Sequence, residues 1–85
     1  MSQVIVSSLI QKEHPKIDQE DVISSFRSMI RYKKREGDEY LAIGSDRKGR
    51  ILELVYLYDW KNDFFLIYHS MTPPTKKAFK DLEMI

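Results

Sequence analysis

The sequence predicts an α+β domain, and three observations carry that prediction. Arg50 to Met71 holds two apolar runs, Ile51–Tyr58 and Phe64–His69, separated by the polar stretch Asp59-Trp60-Lys61-Asn62-Asp63. Both runs are rich in β-branched and aromatic residues and are short, so they read as antiparallel strands joined by a hairpin loop. Upstream, Val22, Ile23, Phe26, Met29 and Ile30 recur at spacings of three and four, the stripe of an amphipathic helix. Downstream, Thr72, Pro73 and Pro74 open a segment with Ala78, Phe79 and Leu82 placed for one helix face. The expected order is two N-terminal helices, a three- to four-stranded antiparallel sheet and a C-terminal helix, in one domain over residues 1–85.

Each element has its own signal. Ser2 to about Glu13 reads as a helix capped by Ser2, with Val4, Ile5, Leu9 and Ile10 on one side. His14-Pro15 ends it, because the residue before proline is pushed out of the α region. Asp18 is a good cap for the second helix, expected from about Gln19 to about Ile30. Glu20 and Asp21 suit its first turn through the helix dipole, and Ile17 and Val22 are spaced for a hydrophobic staple.

Arg31 to Lys34 reads as a short strand, Glu39 to Gly44 as a better one, and Ser45 to Arg50 as a turn with Gly49 free for a left-handed position. The last helix is expected over about Pro74 to Glu83, capped by Thr72, with Lys76, Lys77 and Lys80 outward.

Composition narrows the function classes. The chain has 85 residues, a hydrophobic fraction of 42% and 12% aromatics, which is a folded domain with a modest core. Without cysteine, disulfides and cysteine-rich zinc sites are excluded. No apolar run reaches the ~18 residues that a spanning helix needs, and no basic segment precedes an N-terminal apolar run, so a soluble cytoplasmic protein is expected. The two histidines, His14 and His69, have no metal-ligand spacing, and no glycine-rich phosphate loop or Gly-x-Ser-x-Gly turn is present. No metal and no small-molecule cofactor are expected.

The net charge is only +1, but the cations cluster: Arg27, Arg31, Lys33, Lys34 and Arg35, then Arg47, Lys48 and Arg50, then Lys76, Lys77 and Lys80. Such groups suit RNA or an acidic protein partner, and they equally suit a solvated surface.

The register of the two central strands selects a candidate site. Pairing Tyr58 with Phe64 sets Leu54 opposite Tyr68 and Glu53 opposite His69. One face then carries Leu52, Leu54, Tyr56, Tyr58, Phe64, Leu66 and Tyr68 as core. The other carries Ile51, Glu53, Val55, Leu57, Phe65, Ile67 and His69.

Pairing Gly44 with Ile51 adds Leu41 and Ile43 to the core face and leaves Ala42 and Gly44 as open space beside Glu53. The two N-terminal helices are expected over the Leu52/Leu54 face, leaving Glu53 and His69 accessible. A carboxylate beside an imidazole supports general acid–base chemistry near neutral pH, and RNA cleavage by the 2′-hydroxyl needs that chemistry plus cations, with no metal required. The plain alternative is a cross-strand polar pair that satisfies two side chains under a helix.

Tyr40-Leu41-Ala42-Ile43-Gly44, Asp46 to Arg50, Ile51 to Val55, Ile67-Tyr68-His69-Ser70-Met71, Lys76-Lys77 and Phe79 together resemble the small bacterial BrnT-like toxins. Ile17 to Val22 is similar too, so the resemblance covers most of the chain and is clearest from Tyr40 to Leu82. It implies a RelE-related α+β fold, the toxin half of a type II toxin–antitoxin module, a ribonuclease activity that arrests translation, and a cognate antitoxin protein covering the active face. By that pattern, Glu53, His69 and Lys76 or Lys77 match site positions. As a ribonuclease, the chain would use Glu53, His69 and Lys76 in catalysis, with Arg31, Arg47, Lys48, Lys77 and Lys80 on RNA phosphates. The other expectation is a non-catalytic binding module for an acidic protein or RNA, because Ile51, Val55, Leu57, Phe65 and Ile67 make one sheet face too apolar to stand in water.

Overall fold

The computed structural model describes residues 2–85 as a mixed α+β fold with five strands and three helices. In chain order these are β1 (Gln3–Val6), α1 (Leu9–Glu13), α2 (Gln19–Arg27), β2 (Met29–Lys34), β3 (Glu39–Ser45), β4 (Ile51–Asp59), β5 (Phe64–Met71) and α3 (Lys76–Asp81). The strands form one sheet in the order β1-β5-β4-β3-β2. Among the described residues, no helix is long and apolar enough to cross a membrane.

The first departure from expectation is at the N-terminal end. Gln3 to Val6 is a strand, not the start of a helix, and it pairs in parallel with β5, Val4 beside Phe65 and Val6 beside Ile67. The β-branched run Val4-Ile5-Val6 favours this pleated pairing. The sheet is therefore mixed, with five strands rather than three or four antiparallel ones, and only the five-residue α1 remains of the first expected helix.

The second helix starts as its signals indicate. Asp18 accepts from the Asp21 backbone N–H at 2.9 Å, and Asp21 accepts from the Asp18 N–H at 3.1 Å, a reciprocal cap. It ends at Arg27, three residues early, because Met29 pairs with Gly44 on β3. Met29 and Ile30 continue the helical spacing by coincidence.

Helices α1 and α2 cover the Leu52/Leu54 face, as expected. Ile10, Ile17 and Val22 pack there on Ala42, Leu52, Leu54, Tyr56 and Ile67. Phe26 meets Tyr56 edge-on at 5.1 Å between ring centroids, and Tyr40 stacks on Tyr56 at 5.2 Å. On the opposite face α3 covers a smaller core of Leu41, Ile43, Val55, Ala78 and Leu82. The helix is shorter than expected, and its cap is Thr75, whose hydroxyl accepts from the Ala78 N–H at 3.1 Å. Thr72 instead donates to the Ile51 carbonyl at 2.7 Å.

Strand β3 is shifted by one residue from the expected register. Ser45, not Gly44, opposes Ile51, so Ile43 opposes Glu53 and Ala42 opposes Leu54. The turn sets this. The Asp46 carboxylate accepts from the Lys48 and Arg50 backbone N–H groups at 2.9 and 2.8 Å, and the Asp46 N–H donates to the Arg50 carbonyl at 2.9 Å.

A one-residue slip exchanges faces. Leu41 and Ile43 therefore lie on the Glu53 face, and the small Ala42 and Gly44 lie under α2 instead of opening space beside the acid. Their smallness serves packing, because a Cβ on Gly44 would sit 1.9 Å from the Ser25 carbonyl oxygen. Gly44 lets α2 approach the sheet this closely.

Gly44→Ala forces α2 backbone away from β3, and overpacking of that kind costs about 3 kcal/mol. Urea denaturation is expected to show a loss of that size, whereas Gly49→Ala, at a positive φ of 82° with open space around it, is expected to show a smaller, purely conformational loss of about 1 kcal/mol.

Candidate functional site: an acid–histidine pair in a cleft beside α3

Glu53 and His69 do meet, by a route the sequence did not show. At the hairpin, Asp59 opposes Phe64, one residue beyond the expected register. That slip moves Phe65 and Ile67 onto the α1/α2 face and Leu66 onto the other. A β-bulge between the Val55–His69 and Tyr56–Ile67 pairs then inserts Tyr68 as an extra residue. The bulge returns His69 to the Glu53 face, two residues out of the expected register. His69 opposes Val55, Glu53 opposes Met71, and the two side chains meet on the diagonal. His69 Nε2 lies 2.8 Å from Glu53 Oε2.

The pair is asymmetric. Glu53 is only 6% exposed. Its Oε1 accepts from the Thr75 N–H at 3.0 Å and the Thr75 hydroxyl at 2.9 Å, so it ties β4 to the start of α3. Burial works to raise the Glu53 pKa, but the Thr75 N–H, the His69 ring and the Thr75 hydroxyl outweigh it and leave the carboxyl below its ordinary value. An ionised carboxylate only accepts, so Nε2–H of His69 is the donor. Nδ1 then carries the free lone pair of the neutral ring, and it has no hydrogen-bond partner among the described residues. The His69 side chain is 33% exposed.

His69 lines an open cleft of about 470 Å³ together with Glu13, Arg35, Glu39, Tyr68, Thr75 and Lys77, among others. A second hollow adjoins it along β2 and α3, lined by Lys33, Lys34, Arg35, Glu39 and Lys77 among others. Tyr68 donates its hydroxyl proton to Glu39. Burial, followed by this carboxylate, pushes the Tyr68 hydroxyl up to about 12. Arg35 lies 3.7 Å from Glu39 and 3.4 Å from Asp81.

The expected cations divide. Lys77 lines the cleft, whereas Lys76 and Lys80 are exposed on α3 and line neither hollow. Arg31 donates to the Leu82 and Glu83 carbonyls at 3.0 and 3.2 Å, holding the end of α3. Arg47 and Lys48 are elsewhere, in an ion network at the start of α2. Asp21, wholly buried, takes Arg47 at 3.3 Å, Lys48 at 3.1 Å and Arg50 at 2.9 Å, and Arg47 also reaches Asp18 at 3.2 Å.

Arg35, Glu39, Tyr68 and Thr75 belong to the cleft without having been singled out in sequence. Thr75 had a readable signal as a cap directly after Pro74. Tyr68 was expected in the core and is brought to the cleft by the bulge, and Glu39 is brought to the same face by the shifted β3 register. Among the described residues, no cluster of histidine, aspartate and glutamate is arranged to hold a metal ion.

Burial raises the Asp21 pKa, but the Asp18 N–H and the Lys48 and Arg47 side chains outweigh it and lower the value from 3.8 to about 2. A folded pKa below the unfolded one contributes stability above about pH 4 that is lost as pH falls toward 2. Thermal unfolding across pH 2 to 6 is expected to show a midpoint falling below pH 4, with a shallower fall in Asp21→Asn. An equally steep fall in that variant would assign the acid sensitivity to other carboxylates, such as Glu53.

No family model, curated protein or solved structure matches the chain.

Proposed function

We propose that this protein is a toxin-like, RelE-related small endoribonuclease of a type II toxin–antitoxin module, acting on RNA in the cytoplasm and held in check by a cognate antitoxin. The supporting observation is the His69–Glu53 pair, with the acid buried and fixed and the histidine open to a cleft that Lys77 and Arg35 line. The resemblance to BrnT-like toxins points the same way.

In this reading His69 is the catalytic base and Glu53 is a positioning residue. Glu53 fixes the ring's tautomer and stabilises the imidazolium once it forms. Nδ1 takes the 2′-hydroxyl proton, and the 2′-oxygen bonds to the adjacent phosphorus. The bond from phosphorus to the 5′-oxygen breaks, and the imidazolium returns the proton to that oxygen. The products are a 2′,3′-cyclic phosphate and a 5′-hydroxyl. Lys77 lines the same cleft and, unlike Arg35, makes no ion pair among the described residues, so it is the candidate to meet the charge developing on the non-bridging oxygens. The exposed Lys76 and Lys80 would extend phosphate contacts outside the cleft, while Arg31, Arg47 and Lys48 support the fold.

A binding role without catalysis is the second reading. It draws on the apolar side chains left open on the same sheet face, Ile5 and Leu57.

Induced expression in a bacterial host tests the first reading. Growth arrest with breakdown of total RNA is expected. His69→Ala is expected to lower the cleavage rate of the purified protein by about 10²-fold or more. Glu53→Gln is expected to lower kcat with little change in KM, because it acts through the ring. Normal growth with intact RNA would overturn catalysis and leave the binding role.

A further inference from the structure

The uncovered part of the Glu53 face has a composition of its own. Helix α3 spans six residues and covers Leu41, Ile43 and Val55, but not the β1 side of the sheet. There Ile5 pairs with Leu66, and Leu66 opposes Leu57. Ile5 is 38% exposed, Leu57 39% and Tyr68 36%. These side chains form an apolar floor that runs directly into the cleft holding His69, Arg35 and Lys77.

Tyr68 stands there because of the bulge. In a regular strand, neighbours point to opposite faces. Here Tyr68 and His69, consecutive in sequence, line the same cleft. The Tyr68 hydroxyl is tethered to Glu39, and Glu39 lies beside Arg35, so the ring is held at the edge of the floor.

We infer that Tyr68 with Leu57, Leu66 and Ile5 forms a nucleobase-binding subsite for single-stranded RNA, next to the reacting phosphate at His69. This rests on the ribonuclease reading and deepens it by naming the form of the substrate. Three features favour RNA over a protein occupant. A sheet surface carrying an aromatic ring is a stacking platform for unpaired bases, which present a flat apolar face. The adjoining hollow is lined by Lys33, Lys34 and Lys77 beside Glu36, while Arg35 pairs with Glu39 and Asp81 there, so its unpaired charge is mainly positive where the sugar-phosphate chain would continue. The ring and the acid–base group are sequence neighbours, so a stacked base would hold its own ribose near Nδ1. A duplex keeps its bases stacked on each other and has no face to offer this floor.

The test uses a fluorescent 2′-O-methyl RNA hexamer, which lacks the attacking hydroxyl and so reports binding whether or not the protein cleaves RNA. The full chain is expected to bind the single strand at least ten-fold more tightly than a duplex of the same length. Tyr68→Ala is expected to weaken single-strand binding by about ten-fold, the scale of one stacked base. Leu57→Ser is expected to weaken it several-fold. Tyr68→Phe keeps the ring and is expected to stay within two-fold of the parent.

Equal binding of single strand and duplex, no effect of Tyr68→Ala in a protein with parental circular dichroism, or equal loss in Tyr68→Phe and Tyr68→Ala would each overturn the subsite. RNA cleavage that depends on His69 could survive any of those results, and ring-dependent hexamer binding could survive the absence of cleavage, so the two proposals fail separately.

Discussion

A carboxylate sealed inside an 85-residue domain is the constraint to which the site answers. Glu53 stands in the middle of a strand with almost no water contact, and an ionised group there is costly unless each oxygen finds a donor. One oxygen takes both polar groups of Thr75, and the other takes His69. The acid therefore joins three consecutive elements, namely β4, β5 and the start of α3. The tautomer of the histidine and the seating of the helix are set by the two oxygens of one side chain. Arg31 holds the other end of α3 through two backbone carbonyls. A short helix with a small apolar footprint is thus pinned at both ends by polar contacts.

The two sheet faces are built for different purposes. Under α1 and α2 lies the larger apolar core, with a glycine where helix backbone meets strand. Under α3 the packing stops after a few residues, and the rest of the face is left to the cleft and the bare strands beside it. The bulge at Tyr68 marks that change. Before it, β5 sends Phe65 and Ile67 into the larger core. After it, β5 sends His69 to the opposite side.

Much of this was legible in the sequence, and the failures have physical causes. The hairpin runs and the α2 cap at Asp18 followed from periodicity and local chemistry, whereas the face that the N-terminal helices cover was not readable from either. The meeting of Glu53 with His69 followed too, but only because two unseen irregularities cancelled. The hairpin slipped by one residue, which moved the histidine to the wrong face, and the bulge moved it back. Neither has a sequence signature in Phe64 to Met71, since Tyr68 is as ordinary a strand residue as its neighbours. Val4-Ile5-Val6 suits a strand as well as a helix face, and only its partner on β5 decides the matter. The cation clusters read alike in sequence, yet one is consumed by Asp21. A wholly buried aspartate among helix-capping acids could not be told from its exposed neighbour Glu20.

The parallel pairing of β1 with β5 has a consequence for how the domain is assembled. Ser2 and Asp63, 61 positions apart, are hydrogen-bonded, while every other strand pair joins neighbours through a short turn. During synthesis β1 leaves the ribosome first and must wait until β5 has emerged. Until then the β2-β3-β4 meander can form from local contacts alone, but β1 has no strand to pair with. Closing so long a loop is entropically the most demanding of the sheet's pairings, so this closure is the natural candidate for the slow step. Interrupted growth of the chain would leave the meander with β4 as an unpaired apolar edge, the kind of surface on which aggregation begins.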